Sequence, residues 1–158
     1  MTTRIFLHGL DSSGSGTKGN FFSTGFPDMM RPDFKGTLQE RMTQLYSLLA
    51  NDGDVIVVGS SFGGLMGACL AIKDPDRVHR LIMLAPALNF HEFQVPNGKI
   101  ATDTLLIIGQ DDVVTPPDIV VPAAEATFDN LQISIVDDDH LLHRTYNKLD
   151  WDYLLRNN

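Results

Sequence analysis

A strand-like segment passes into a helix-like one through a glycine- and serine-rich turn in the stretch Val55-Ile56-Val57-Val58-Gly59-Ser60-Ser61-Phe62-Gly63-Gly64-Leu65. The four β-branched residues have the length and composition of a buried strand, and a helical segment runs from Leu65 to Lys73, where Asp-Pro ends it. The motif Gly-x-Ser-x-Gly lies between them, and its glycines let neighbouring chain approach a serine held on a strained bend. We predict that the hydroxyl of Ser61 projects above the sheet, while Ser60 fills a variable position of the motif.

Strand-like and helix-like segments alternate along the rest of the chain. Short apolar runs of strand length occur at Arg4–Leu7, Val55–Val58, Arg80–Leu84, Thr104–Ile108 and Gln132–Val136, with a weaker one at Asp28–Arg31. Segments that fit helices occur at Leu38–Ala50, Leu65–Lys73, Pro117–Phe128 and His143–Leu155. This alternation predicts the α/β class: a mostly parallel sheet of about six strands with helices on both faces, in one domain over residues 1–158.

The length and charge of the chain exclude several classes of function. A chain of 158 residues with 43% hydrophobic side chains is enough for one compact core. The formal net charge of -8 repels phosphate backbones, so we expect no nucleic-acid partner. No apolar run reaches the roughly 20 residues that span a bilayer, and the residues from Met1 to Arg4 lack the layout of a signal peptide. We therefore expect no membrane span and a cytoplasmic location.

A second glycine motif points to a different function. The residues from Gly14 to Gly19 match the G-x-G-x-x-G pattern of dinucleotide-binding folds, and Asp33 follows at about the expected distance. In those folds the glycines open a helix directly after a strand, whereas here several residues separate Leu7 from Gly14. Lys18 is followed by glycine rather than by the Ser or Thr that a phosphate loop uses for magnesium. We interpret the segment as a flexible loop beside the active site, and we expect no cofactor.

Three further segments complete a resemblance to a known family. They are the first strand with its ending Ile5-Phe6-Leu7-His8-Gly9-Leu10, the segment Leu105-Leu106-Ile107-Ile108-Gly109-Gln110-Asp111-Asp112 with Pro116 behind it, and Asp137-Asp138-Asp139-His140 after the last strand. With the Gly-x-Ser-x-Gly turn, these segments resemble the α/β-hydrolase family from about Arg4 to His140. The resemblance implies a triad in the chain order Ser, Asp, His, with Ser61 as nucleophile, Asp112 as orienting acid and His140 as general base.

Two members of this implied triad have neighbours that compete for the same role. Asp111 directly precedes Asp112 and takes the role of the acid if the turn is shifted by one residue. The family usually has a small residue before its histidine, whereas Asp139 precedes His140 here. His143 therefore stays an alternative base.

The resemblance also implies which groups surround the reaction. The family binds the tetrahedral oxyanion with two backbone N–H groups, which are implied here to be those of Leu10 and Phe62. His8 is interpreted as a turn residue or as a polar contact to substrate, and Phe90 and His91 are candidates to line the substrate mouth. Because neither His79 nor His91 stands at ligand spacing from another His, Cys or carboxylate on one helix, we predict no metal.

The chemistry that these residues imply is acyl transfer on a small-molecule substrate. A carboxylic ester or thioester is the expected substrate class. The segment Pro86 to Lys99 is too short for a multi-helix cap, which implies an open site similar to that of small lid-poor bacterial esterases. A hydrolase that cleaves another acyl bond, such as an amide, and a non-catalytic binding protein on the same fold are the alternatives.

Overall fold

The computed structural model describes residues 1–157 and contains a parallel β-sheet. Its five strands are β1 (Thr3–Leu7), β2 (Val55–Ser60), β3 (Val78–Leu84), β4 (Asp103–Gly109) and β5 (Leu131–Val136). Strands that are consecutive in the chain are neighbours in the sheet, and every pair is parallel. The predicted α/β class is confirmed, and each of the five apolar runs lies within one strand.

The weaker strand predicted at Asp28–Arg31 is reduced to a single bridge beside β1. Met30 N–H donates to Arg4 O, and Met30 O accepts from Phe6 N–H, both at 2.8 Å. Prolines stand on both sides of this segment, and they have no N–H that could extend the ladder. The sheet of about six predicted strands therefore has five, and the weakest predicted strand contributes only this bridge.

The α-helices connect or flank the strands. They are α1 (Thr17–Gly25), α2 (Leu38–Leu48), α3 (Phe62–Lys73), α4 (Pro117–Thr127) and α5 (Trp151–Leu154). The single helix predicted at His143–Leu155 is wrong, because that segment is divided into a 3₁₀ turn, Tyr146–Lys148, and α5. Leu149 between them has extended backbone, and the carboxylate of Asp150 then caps α5 by accepting from Tyr153 N–H at 3.2 Å.

Helices cover both faces of the sheet, and each face has its own core. Alternate side chains of a strand point to opposite faces, so Val57 of β2 belongs to the core that includes residues of α2, α3 and α4, while Val58 belongs to the core that includes residues of α1 and α5. On the second face, Phe22 of α1 meets Trp151 of α5 edge to face, with ring centroids 4.8 Å apart. The strand that leads into the turn after β2 is therefore packed against an apolar core on each face of the sheet.

The carboxyl ends of all five strands lie at one edge of the sheet, because the strands are parallel. Residues 8–10, 61, 110–116 and 137–145 follow four of these strands and meet there. Residues 85–102, which connect β3 and β4, contain no helix, so no helical cap is inserted over this edge. Among residues 1–157, no helix combines the length and the apolar character that a membrane span requires.

Candidate active site

Ser61 occupies a strained bend between β2 and α3. Its backbone has φ 56° and ψ -115°, a region that residues with a Cβ seldom adopt. Hydrogen bonds to the end of β3 and to the segment after it hold the bend: Ser61 N–H donates to Leu84 O, and Ser61 O accepts from Ala87 N–H, both at 2.9 Å. The surrounding backbone therefore compensates for the strain and fixes the direction of the hydroxyl.

Close backbone contacts explain the glycines around this serine. A Cβ on Gly63 would overlap Leu7 O, and a Cβ on Gly59 would overlap Gly63 O. A Cβ on Gly9 would lie 3.4 Å from Ser61 Cβ, so the loop after β1 passes directly beside the serine. The close approach that the motif predicts is present on both sides of the bend.

Three side chains from three strand ends meet in a line at this edge. Ser61 Oγ lies 3.0 Å from His140 Nε2, and His140 Nδ1 lies 2.8 Å from Asp112 Oδ2. Asp112 is 3% exposed, whereas His140 is only partly buried and Ser61 borders a cavity. A hydrogen on Nδ1 directed at the carboxylate leaves Nε2 able to accept the proton of the serine, which is the arrangement that activates a nucleophile.

The carboxylate of Asp112 is held by the turn that follows it. Oδ1 accepts from Val114 N–H at 2.9 Å and from Thr115 N–H at 2.8 Å, and Oδ2 accepts from the Thr115 hydroxyl at 2.6 Å. With the contact to His140, the carboxylate accepts four hydrogen bonds, one for each lone pair. The sequence analysis missed Thr115, whose only signal was its position shortly after an aspartate, where a hydroxyl is able to bond back.

A second buried aspartate organises the loop that carries His140. Asp138 Oδ1 accepts from Asp139 N–H at 2.8 Å, and Oδ2 accepts from Arg144 N–H at 2.9 Å and from the Thr145 hydroxyl at 2.8 Å. Burial raises the pKa of Asp138, but these hydrogen bonds and the charge of Arg144 outweigh burial, so the pKa lies below its ordinary value. The loop thus closes on its own carboxylate and presents the imidazole at the sheet edge.

The alternatives for the acid and the base lie outside this line of contacts. Asp111 is exposed, and its carboxylate makes no hydrogen bond within residues 1–157. His143 is also exposed and borders the cavity, but its ring makes no hydrogen bond to Ser61 Oγ. The geometry favours Asp112 and His140, whose catalytic roles stay predictions.

Two backbone N–H groups beside the serine have no acceptor. Neither Leu10 N–H nor Phe62 N–H donates a hydrogen bond to any atom within residues 1–157. Leu10 follows the loop that passes beside Ser61, and Phe62 is the first residue of α3. The first N–H groups of a helix lack intrahelical partners and favour negative charge. Both groups are therefore available for the oxyanion role predicted from the sequence.

His8 is a buried turn residue rather than a residue of the cavity wall. It is 1% exposed, its Nε2 accepts from Phe34 N–H at 2.8 Å, and its Nδ1 lies 2.6 Å from Gly9 O. Both ring nitrogens are thus occupied by the backbone. Of the two interpretations given to His8, this position favours the structural one over a polar contact to substrate.

The cavity beside Ser61 has a volume of about 380 Å³. Its lining residues are Phe6, Gly9, Leu10, Asp11, Ser12, Thr17, Lys18, Ser60, Ser61, Phe90, Val114, His140, Leu141 and His143. Phe90, predicted at the substrate mouth, is among them, whereas His91 is not. The side chain of His91 is 94% exposed and borders a separate cavity with Leu10 and Phe62. His91 therefore lies outside the cavity beside Ser61, but the cavity that it borders is next to both candidate oxyanion donors, so its place at the substrate mouth stays a prediction.

Lys18 borders the cavity from α1 and contacts the histidine-bearing loop. Its Nζ donates to Leu141 O at 2.8 Å and lies 5.0 Å from the centroid of the Tyr146 ring. Burial lowers the pKa of Lys18, and the charges of Asp138 and Asp139 oppose that shift. The side chain therefore ties α1 to this loop, a role that the sequence analysis missed.

The second glycine motif, interpreted above as a flexible loop, forms a packed turn that leads into the first residues of α1. Gly14 N–H donates to Asp33 Oδ1 at 2.7 Å, and Gly14 O accepts from Arg31 Nη1 at 2.9 Å. A Cβ on Gly14 would overlap Arg31 O, and a Cβ on Gly19 would overlap Gly14 O. Asp33, which a dinucleotide fold would use on the ribose, is engaged by the turn itself. Within residues 1–157, no group of three or more His, Cys, Asp or Glu side chains is arranged to hold a metal ion.

A parallel sheet that presents a serine, an aspartate and a histidine in that chain order at its carboxyl edge is typical of the α/β-hydrolase fold. The chain has the α/β-hydrolase fold. A family model described as alpha/beta hydrolase fold matches residues 35–101, and solved hydrolase structures superimpose on nearly the whole chain.

Two of these solved structures show how far the likeness extends. Est1E from Butyrivibrio proteoclasticus, with ferulic acid bound, has a TM-score of 0.72 and 14% identity, and the match covers 98% of this chain and 86% of that one. The monoacylglycerol lipase of Paleococcus ferrophilus has a TM-score of 0.70 and 15% identity, over 96% and 93%. At these identities the likeness establishes the fold alone.

A similar sequence among curated proteins is Lipase LipV of Mycobacterium tuberculosis. The two are 29% identical over 120 residues. The match covers 73% of this chain and 44% of LipV, so the chain spans less than half the length of the relative that it matches.

Proposed function

We propose that this chain is a serine hydrolase that cleaves a carboxylic ester or thioester through an acyl-enzyme on Ser61. The proposal rests on one observation: contacts of 3.0 and 2.8 Å join Ser61 Oγ to His140 and His140 to Asp112. A serine that served only to start a helix would use its hydroxyl as a cap. The Ser61 hydroxyl makes no cap hydrogen bond to α3 and meets an imidazole instead.

In acylation, Ser61 Oγ bonds to the carbonyl carbon of the substrate while His140 Nε2 takes the serine proton. The carbonyl oxygen becomes an oxyanion, which the N–H groups of Leu10 and Phe62 bind. The C–O or C–S bond of the substrate then breaks. His140 gives its proton to the departing alkoxide or thiolate, so the imidazole is neutral again for the second half of the reaction.

In deacylation, a water oxygen bonds to the acyl carbon and gives a proton to His140 Nε2. Collapse of this second tetrahedral species breaks the bond to Ser61 Oγ, which recovers the proton from the imidazolium. Asp112 takes no proton in either step. Its carboxylate keeps Nδ1–H directed toward itself, which leaves Nε2 as the base, and it stabilises the imidazolium.

The form of the site favours a short or surface-presented acyl group. No helical cap is inserted between β3 and β4, and a cavity of about 380 Å³ is at the lower end of the range for small-molecule sites. Leu10, Phe90 and Val114 give it an apolar wall that suits a hydrocarbon chain. The name of the similar mycobacterial lipase supports an ester as substrate. The proposed partner is thus a small-molecule acyl substrate, and the cytoplasmic location stays a prediction from the sequence.

Labelling with a fluorophosphonate probe tests the nucleophile. We expect the intact protein to be labelled at Ser61, since such probes react with activated serines, and Ser61→Ala to lose the label. Ser60→Ala is the matched control, because it removes a hydroxyl from the adjacent residue and should leave labelling unchanged. Circular dichroism checks that all three proteins fold alike. A folded intact protein without label at Ser61 would indicate a non-catalytic binding protein and contradict the proposal.

A panel of substrates tests the bond that is cleaved. We expect turnover of p-nitrophenyl esters, faster with short than with long acyl chains, because no cap encloses a long chain. Acyl-CoA and anilide substrates of the same acyl groups, measured beside them, separate ester, thioester and amide hydrolysis. Activity on anilides alone would overturn the ester and thioester assignment, and equal rates on short and long esters would overturn the open-site argument.

A further inference from the structure

The hydroxyl of Thr115 lies at the centre of the contact between the candidate acid and the candidate base. Thr115 is completely buried, and its Oγ1 lies 2.6 Å from Asp112 Oδ2 and 3.2 Å from His140 Nδ1. A third polar atom, Ala85 O, lies 3.3 Å away. No step of the reaction described above uses this hydroxyl, yet it touches both partners of the hydrogen bond that orients the imidazole.

The distances determine where the single proton of this hydroxyl goes. A hydroxyl donates once, and hydrogen bonds to a carboxylate are shorter and stronger than those to a neutral carbonyl. The contact of 2.6 Å therefore marks Asp112 Oδ2 as the acceptor, rather than Ala85 O at 3.3 Å. The lone pairs of Oγ1 remain available to His140 Nδ1–H at 3.2 Å.

This hydrogen bond prevents the carboxylate of Asp112 from rotating. Oδ1 is already held by the N–H groups of Val114 and Thr115, so the Thr115 hydroxyl is the bond from the turn that holds Oδ2, the oxygen that faces the imidazole. Without it, Oδ2 would keep only His140 as partner. The carboxylate could then rotate about its held edge, and the imidazole would lose the fixed acceptor that directs Nε2 at Ser61.

We propose that Thr115 is a positioning residue of this site, which acts by holding Asp112 Oδ2 in line with His140 Nδ1. This inference rests on the proposed function, since the position of the imidazole matters for turnover only if Ser61 is the nucleophile. Thr115 touches neither substrate nor the reacting atoms, so its effect is expected in kcat and not in KM.

The pair Thr115→Ser and Thr115→Ala isolates the hydroxyl, because both variants lose the methyl group and only the alanine also loses the oxygen. We expect Thr115→Ser to keep kcat within about threefold of the intact protein, and Thr115→Ala to lose roughly 10- to 100-fold in kcat at unchanged KM. Thr115→Val, which keeps the shape and removes the hydroxyl, should fall with the alanine variant. If valine does not fold, as judged by circular dichroism, the serine and alanine pair decides.

Thr127→Val is the matched control. Thr127 is also completely buried and its hydroxyl also makes a hydrogen bond, to Ala123 O at 2.7 Å, but it lies in α4 away from the site. Both valine variants therefore remove a buried hydroxyl, and only the one at position 115 should lower kcat. A loss in kcat at 115 no larger than at 127 would reduce Thr115 to a structural residue and overturn the proposal.

A proton NMR spectrum gives a readout that does not depend on turnover. The Nδ1–H of His140 should give a far-downfield resonance in the intact protein and in Thr115→Ser, and this resonance should shift or broaden in Thr115→Ala. An intact protein that shows neither labelling at Ser61 nor esterase activity would overturn the proposed function itself. An active intact protein whose alanine variant keeps the same kcat would overturn the role of Thr115 alone.

Discussion

Two loops at the same edge of the sheet, residues 110–116 after β4 and residues 137–145 after β5, are each organised by one buried aspartate. Asp112 and Asp138 each accept two backbone N–H groups and one threonine hydroxyl. The difference is one further partner: Asp112 Oδ2 lies 2.8 Å from His140 Nδ1, whereas the carboxylate of Asp138 bonds only its own loop within residues 1–157. In the loop after β4, these hydrogen bonds hold the carboxylate that contacts the imidazole. In the loop after β5, they hold the backbone that carries the imidazole.

Burial separates these two aspartates from their neighbours in the same loops. Asp112 and Asp138 are 3% and 6% exposed, while Asp111, Asp137 and Asp139 are exposed. A buried carboxylate must be fully hydrogen-bonded, because an unpaired one costs several kcal/mol, whereas an exposed one is satisfied by water. In a run of aspartates, the buried one therefore fixes the geometry of the loop, and the exposed ones are expected to tolerate substitution.

The largest effect on kcat should come from substituting Asp112, because its contact to His140 is what distinguishes the first loop from the second. We expect Asp112→Asn to lower kcat by about 10⁴-fold, because an amide that presents N–H to Nδ1 favours the wrong imidazole tautomer. Asp111→Asn is the matched control and should stay within about twofold of the intact protein, as an exposed substitution does. Initial rates on a short p-nitrophenyl ester measure both. The reverse ranking would make Asp111 the acid and would break the link between burial and function.

The fold was largely predictable because its signals are local. Each buried strand is a short apolar run, and the Gly-x-Ser-x-Gly turn links one of them to a helix by composition alone. The two errors arose where a few side chains outweigh periodicity. Prolines limit the pairing of Met30 to a bridge. Asp150 caps a new helix that begins at Trp151, so the segment from His143 to Leu155, whose sequence predicts one helix, is divided.

The candidate site was predictable only in part, because its residues come from separate strand ends. Chain order and turn motifs indicated Ser61, Asp112 and His140, which lie in hydrogen-bonding contact, and their roles await the experiments above. The supporting contacts were not predictable. Thr115 and Asp138 are selected by burial, and Lys18 contacts Leu141 across 123 positions of the chain, which no local pattern reveals.

Substitution of Asp138 should have a smaller effect, which we expect in stability. We expect Asp138→Asn to lower the free energy of unfolding by about 1–2 kcal/mol at neutral pH, since an amide cannot accept all the donors that meet the carboxylate. For a chain of this size this corresponds to a fall in Tm of roughly 2–8 °C. Asp137→Asn is the matched control. Within residues 1–157 the exposed carboxylate of Asp137 accepts only from Gln110 Nε2, at 3.2 Å, so the Tm of this variant should stay close to that of the intact protein.

The difference in Tm between the intact protein and Asp138→Asn should depend on pH, because the intact side chain is charged and the asparagine is not. The pKa of Asp138 is lowered in the folded chain from an ordinary value of 3.8, so its contribution is complete above that value and is lost as pH falls through the lowered pKa. The difference in Tm between the intact protein and Asp138→Asn should therefore be constant from pH 7 to about 5 and shrink in more acid solution. A difference that grows as the pH falls would contradict this account of the loop.

The smallest effect is expected at His143, which shares the second loop with His140 but not its contact to Asp112. His143 borders the cavity with an exposed ring, and no carboxylate within residues 1–157 accepts a hydrogen bond from it, so its tautomer is not fixed as a general base requires. We expect His143→Ala to change kcat by no more than about twofold, the same as His91→Ala at an exposed histidine outside this cavity. A loss at His143 as large as that of Asp112→Asn would move the base by three positions, and the loop held by Asp138 would then have to present a different ring to Ser61.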